Sequence, residues 1–150
     1  MTNLPNRKPN RLKEYDYVGN GAYFITICTK GRKCILSRIP VGNAALSVPK
    51  IELTVIGKIV EEHLRLMPGM DKYVIMPNHV HLIVIKNKTE KSISEDIRTL
   101  KSGVSRAVGR PIWQKSFYDH IIRDEEDYLT KAEYIENNPS KWIEDELYPF

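Results

Sequence analysis

The ten residues MPNHVHLIVI, Met76 to Ile85, constrain the fold of this chain more than any other stretch. Past its two histidines the run is apolar at successive positions. Successive side chains of a strand point to opposite faces, so a strand apolar on both is expected at the centre of a sheet. The same alternation puts His79 and His81, at i and i+2, on one face at the start of that strand. Two imidazoles pointing the same way suit a shared ligand, most simply a divalent metal. They suit two ordinary half-buried histidines equally well, and the pair alone leaves both readings open.

The segments on either side supply the rest of a sheet. GAYFITICT, Gly21 to Thr29, is rich in β-branched and aromatic residues and reads as a strand. Pro40, Gly42 and Pro49 mark a loop over 39–50. Apolar residues at Ile51, Val55, Ile59, Leu64 and Met67 then form a helical stripe, stopped by Pro68 and Gly69. A short strand is expected over Lys72 to Met76, and Pro77-Asn78 makes the turn into the central strand. Ser92 followed by Glu95 is a capping box, and Ile93, Ile97, Leu100, Val104 and Ala107 give an amphipathic helix ending near Gly109. Ile112 to Ile122 reads as extended. Asp124 opens a last helix, with acids in its first turn as the helix dipole favours, and Pro139 stops it. Strand, helix, hairpin, helix, strand, helix is the order of an α+β, ferredoxin-like split βαβ sandwich with an antiparallel sheet and one additional C-terminal helix. That fold hosts many functions and argues for none by itself.

At 150 residues the chain is expected to form one domain, 1–150, with a basic N-terminal arm at about 1–17. Hydrophobic residues make up 41% and charged residues 28%, a globular composition. No apolar run approaches the ~20 residues that span a bilayer, and the first residues lack the apolar core of a secretion signal. Cys28 and Cys34 are the only cysteines, and their spacing matches no zinc-finger pattern. A reduced, cytoplasmic protein is the expectation.

The net charge of +4 matters less than its distribution. Arg7, Lys8, Arg11 and Lys13 make the arm basic. Lys86, Lys88, Lys91, Arg98, Lys101, Arg106 and Arg110 outnumber the acids between them, whereas the chain from Asp124 onward is acidic. Such segregation fits a polyanion footprint, and it also fits two solvated faces of mixed charge.

The last helix carries a second chemical feature. Tyr128, Ala132 and Ile135 form its core stripe, while Asp127, Lys131, Tyr134 and Asn138 form a polar one. Tyr134 and Asn138 thus project one turn apart, with the tyrosine hydroxyl off the core. An amphipathic tyrosine with a packed ring and a wet hydroxyl is the ordinary reading. The sharper reading joins it to the histidines. A phenolate attacks a phosphodiester and keeps the product as a phosphotyrosine link, while a metal on His79 and His81 offsets charge on the phosphate. Mixed imidazole and oxygen ligands suit Mg²⁺ or Mn²⁺, with Asn138 or another oxygen completing part of the shell.

MPNHVHLIV resembles the His-hydrophobe-His motif of HUH nucleases. Together with WQKSFYDHIIRDEEDYLTKAEYIENNP it is similar to the single-tyrosine transposases of the IS200-like type, in particular the REP-associated tyrosine transposases. The resemblance runs from GAYFITICT to about Trp142, and its two anchors, His79 and Tyr134, stand 55 positions apart. It implies a ferredoxin-like fold and a metal-dependent enzyme that nicks and rejoins single-stranded DNA beside imperfect hairpins, often as a dimer. It implies His79 and His81 as metal ligands and Tyr134 as the nucleophile that forms a 5′-phosphotyrosine intermediate. Asn138 falls where related transposases carry a ligating glutamine, with a shorter reach. Arg7, Lys8 and Arg11 are the candidate DNA contacts of the arm. Arg123 is either a phosphate contact or a salt bridge at the helix start. His120 is structural or DNA-contacting, and Trp113, Phe117 and Tyr118 are core or base-stacking residues.

Three rivals stand beside this reading. A histidine-triad hydrolase needs a third histidine where Ile83 stands. A hairpin DNA- or RNA-binding module without catalysis would keep the basic surface and treat the histidines as structural. A relaxase or replication initiator shares the histidine motif but places its tyrosine differently.

Overall fold

Strand β1 (Gly21–Cys28) forms the spine of a four-stranded sheet that also contains β4 (Met70–Ile75), β5 (His79–Lys86) and β6 (Tyr118–Ile122), in the order β4-β5-β1-β6. Every pairing is antiparallel. The computed structural model describes residues 21–40, 50–86 and 91–144. The basic arm with Arg7, Lys8 and Arg11 lies outside the described residues, as does Lys88. Helices α1 (Val55–Arg65) and α2 (Ile93–Val108) connect the strands, and α3 (Glu125–Asn137) follows β6. This is the expected split βαβ sandwich with its additional helix. β5 is central and pairs on both edges, as its two apolar faces require.

Alternation along β5 divides the interior. Val80, Leu82 and Val84 join the larger core with Ile97, Leu100 and Val104 of α2 and Val60 and Leu64 of α1. Ile83 points the other way, into a smaller cluster with Val74, Met76, Ile122 and the α3 residues Ala132 and Ile135. His79 and His81 share the parity of Ile83, so they face the α3 side. Each fully buried aliphatic side chain contributes roughly 1.5–3 kcal/mol, so both layers are held chiefly by these contacts.

The structure moves several expected boundaries. The helical stripe after Ile51 is shifted. Thr54 caps α1 by accepting a hydrogen bond from the Gly57 N–H at 3.0 Å, so Ile51 lies before the helix and Val55 is 76% exposed. The face that packs runs through Gly57, Val60 and Leu64. There Gly57 lets the helix come so close to the Leu36 backbone that an added Cβ would stand 2.0 Å from its carbonyl oxygen. The segment expected as loop ends in a two-residue pairing, β2 (Ser37–Arg38) with β3 (Glu52–Leu53). β4 starts two residues earlier than expected, through an irregularity between Met70 and Lys72. Only the end of Ile112–Ile122 is strand. Before it, Trp113 makes a single bridge to Thr29. Of the basic band after β5, Lys86 is not a surface charge at all, being 2% exposed and ion-paired with Asp96 of α2.

Candidate catalytic site

The antiparallel register of β1 and β5 sets Cys28 opposite His79 and Thr26 opposite His81. Both imidazoles are buried, His79 completely and His81 to 4% exposure. Their Nε2 atoms stand 3.1 Å apart with the rings steeply inclined. Each ring is held from behind through Nδ1. That of His79 lies 2.8 Å from Oδ1 of Asn78, and that of His81 lies 2.8 Å from the Thr26 hydroxyl. The Asn78 amide nitrogen donates to the Arg32 carbonyl, so its oxygen faces the ring. Amide oxygen only accepts, which assigns the His79 proton to Nδ1 and leaves an Nε2 lone pair turned toward His81. A hydroxyl accepts or donates, so Thr26 supports either tautomer of His81.

Two imidazoles held this way fit a divalent cation. Nitrogens at right angles about 2.1 Å from one ion stand about 3.0 Å apart, and fixing Nδ1 is how ligating histidines are oriented. Asn138 adds a second observation. It is 4% exposed, its Nδ2 donates to the Tyr134 carbonyl at 3.1 Å, and its Oδ1 is buried with no hydrogen-bond partner among the described residues. A buried amide oxygen left unpaired is costly, and a ligated cation would satisfy it. Trp142, four residues on, covers His79 with ring centroids 6.1 Å apart. Among the described residues no group of three or more His, Cys, Asp or Glu side chains gathers at one point.

Tyr134 is brought in by α3. Asp124 caps the helix by accepting from the Asp127 N–H, and Glu125, Glu126 and Asp127 fill its first turn. Asp127 also accepts from His120 at 2.9 Å and from the Arg123 N–H at 3.1 Å. Burial alone would raise the Asp127 carboxyl, but the His120 and Arg123 hydrogen bonds and the charges of His120 and Lys131 hold it below its ordinary range. Ala132 and Ile135 seat the helix, and the Tyr128 hydroxyl donates to Asp71 of β4 at 2.5 Å. Tyr128 is therefore only partly the core residue expected of it. Tyr134 is 45% exposed, with its ring edge-on to His81 at 5.1 Å between centroids. Phe24 stacks on His81 at 5.4 Å and meets Tyr134 edge-on at 5.9 Å, so one ring touches both.

These residues open into a cavity of about 590 Å³ whose lining includes Phe24, Thr26, Arg32, His81, Lys131 and Tyr134. Its ionisable lining carries cations and no carboxylate. Lys131 lies over the Phe24 ring at 5.4 Å. Arg32 is the one non-glycine residue among those described with positive φ, 55°. Residues of that kind cost energy and cluster at functional sites. Of the candidates from sequence, His79, His81 and Tyr134 meet on the α3 side of the sheet, and Asn138 is buried one turn beyond Tyr134 with its amide donating to the Tyr134 carbonyl. Arg123 does not line the cavity. It lies exposed at the turn into α3 and is engaged there through its backbone. Thr26, Phe24 and Arg32 have no site role in the sequence, and Asn78 reads there only as a turn residue. Only Arg32, in the KGRK stretch next to a glycine, carried a local signal there, as a basic turn.

No protein-family model matches the chain. An uncharacterized protein of Haemophilus influenzae is 33% identical, with 97% of this chain and 94% of that protein aligned. A REP-associated tyrosine transposase of Escherichia coli strain K12 is 32% identical over 77 residues, about half of either chain. The solved structure of a REP-associated tyrosine transposase bound to a REP hairpin superposes with a TM-score of 0.61 at 24% identity, covering 87% of this chain and 74% of that one. That likeness is one of fold. Among the described residues no helix is long and apolar enough to cross a membrane.

Proposed function

We propose that this chain belongs with the REP-associated tyrosine transposases, two of which align with about half of it, and that it nicks and rejoins single-stranded DNA beside imperfect hairpins, with Tyr134 as the nucleophile. The observation that carries this reading is the approach of the Tyr134 ring to 5.1 Å from His81 at a cavity bearing two cations and no acid. The phenol oxygen attacks phosphorus, an oxygen–phosphorus bond forms, and the bond to the 3′ oxygen breaks. The 3′ oxygen leaves and takes up a proton from solvent to become a hydroxyl, and the 5′ phosphate remains on Tyr134. A phenol has a pKa near 10, and its proton passes to solvent, which the half-exposed ring touches. Attack by a second 3′ hydroxyl reverses these steps, joins the strands and frees the tyrosine.

His79, His81 and the Asn138 oxygen would hold Mg²⁺ or Mn²⁺, whose charge lowers the cost of the crowded phosphate. Asn78 and Thr26 keep the imidazoles aimed. Phe24 fixes the distance between His81 and the nucleophile by packing on both. Arg32 and Lys131 grip the phosphates on either side of the scissile one, because guanidinium and ammonium donors pair with phosphate oxygens. The partner is single-stranded DNA carrying a hairpin.

The test is a labelled single-stranded hairpin incubated with Mn²⁺ or Mg²⁺. The wild-type chain should form a covalent adduct. Tyr134→Phe should retain hairpin affinity within about threefold and lose the adduct by at least three orders of magnitude, as removal of a nucleophile does. Adduct formation by the phenylalanine variant overturns the assignment. A second reading, a hairpin-binding module without catalysis, draws on the complete burial of His79 and the hydrogen-bonding distance between the two Nε2 atoms. Salt-sensitive binding with no adduct from the wild type would favour it.

A further inference from the structure

Beside the catalytic cavity, and sharing Gln114 with it, lies a second opening of about 450 Å³. One wall is a single face of α2: Ser94, Arg98, Lys101, Ser102 and Ser105 recur at helical spacing. The other wall is the chain between α2 and β6, with Trp113, Gln114, Lys115 and Phe117. Its ionisable lining is Arg98, Lys101 and Lys115, with no carboxylate, and the serines add hydroxyl donors. This wall is fixed. The Lys101 ammonium donates to the Gln114 and Ser116 carbonyls at 2.7 and 3.1 Å, Trp113 is bridged to Thr29 of the β1 end, and the Gln114 N–H donates to the Cys28 carbonyl at 2.9 Å. Gln114 lines both openings. The two openings therefore adjoin at Gln114.

We propose that this groove is a second DNA subsite, which takes the single-stranded flank of the substrate after it leaves the catalytic cavity across Gln114. Arg98 and Lys115, both exposed and without hydrogen-bond or ion-pair partners among the described residues, hold flank phosphates. Phe117, half-buried on the groove wall, offers a face on which an unpaired base stacks. Duplex is excluded from this role because paired bases have no free face to give an aromatic ring. The identity of the occupant rests on the single-stranded DNA reading above. The existence of the subsite does not rest on Tyr134 chemistry.

The test compares the full chain with a variant carrying Arg98→Gln and Lys115→Gln, and with Phe117→Ala. Fluorescence anisotropy measures affinity for one labelled hairpin bearing single-stranded flanks of two or of ten nucleotides. For the wild type the long flank should bind at least tenfold tighter. In the double variant that ratio should fall to near one, and the salt slope for the long-flank hairpin should shrink by about 0.7 per lost phosphate contact. Phe117→Ala should lower the ratio severalfold with the salt slope kept. The subsite is overturned if the wild type shows no flank-length dependence, if the variants keep the full ratio, or if a duplex flank of ten base pairs gains as much as the single strand. Adduct formation is scored in parallel. Its absence in every sample would sink the nucleophile assignment while leaving the flank-length ratio to decide the groove.

Discussion

Thr26 shows how much a single hydroxyl can decide. It is buried, lies directly across from His81 in the strand pairing, and touches that ring at Nδ1. For both Nε2 atoms to present lone pairs to one cation, His81 has to carry its proton on Nδ1, with the Thr26 oxygen accepting it. Thr26→Val keeps the shape and removes the acceptor. Loss of such a partner behind a ligating histidine costs about 10–100-fold in metal affinity. We expect a shift of that size in a Mn²⁺ titration of adduct formation, with Thr26→Ser close to wild type. An unchanged titration would mean that the histidines hold no metal through Nε2. The sequence announces His79 and His81 because a spacing of two is a local property. It is silent on Thr26 because the contact spans 55 positions and exists only once the register is set.

α3 carries Tyr134, and its seating is modest: two buried side chains, the His120–Asp127 pair at its start and the Tyr128 hydroxyl on Asp71. The hydrogen bond to Asp71, followed by burial and by the charges of Asp71 and Glu136, pushes the Tyr128 phenol up to about 12. A group whose folded pKa lies above its ordinary value of about 10 stabilises the fold fully below that ordinary value. The contribution is then lost as pH rises through 10 toward 12. Between pH 10 and 12 the melting temperature of the wild type should therefore decline more steeply than that of Tyr128→Phe. At neutral pH the phenylalanine variant should form adduct more slowly, because the helix bearing Tyr134 has lost a tether to β4. Parallel melting curves across that window would refute this account. The helix itself was legible in its cap, its acids and its stripe. The tether was not, because Asp71 is 57 positions away and Tyr128 has the spacing of a core residue.

Across the larger core Lys86 and Asp96 join the end of β5 to the first turn of α2, with side chains only 2% and 3% exposed. Removing one partner of a buried pair leaves an uncompensated charge and costs about 3–5 kcal/mol. For a chain of this size each kcal/mol moves the melting temperature by roughly 2–4 °C. Lys86→Met should thus lower it by on the order of 10 °C, and Lys86→Met combined with Asp96→Leu should recover most of the loss. A single variant that melts like the wild type would mean that the pair is not desolvated in solution. In the sequence Lys86 is simply the first of a run of cations. Of the other cations in that run, Arg98 and Lys101 gather with Lys115 along one groove.

Local periodicity determined the element order, the central place of β5 and the shared face of the two histidines, because each follows from spacings of two or from 3.6-residue turns within one segment. The same local reasoning put Tyr134 off the core stripe of the last helix. What only the tertiary structure decided is the meeting of segments far apart in the chain: Thr26 behind the His81 ring, Phe24 against both His81 and Tyr134, and Arg32 in the lining of the same cavity. Those contacts depend on strand register and on how a helix lies across a sheet, and such long-range geometry leaves no periodic trace in the order of the residues.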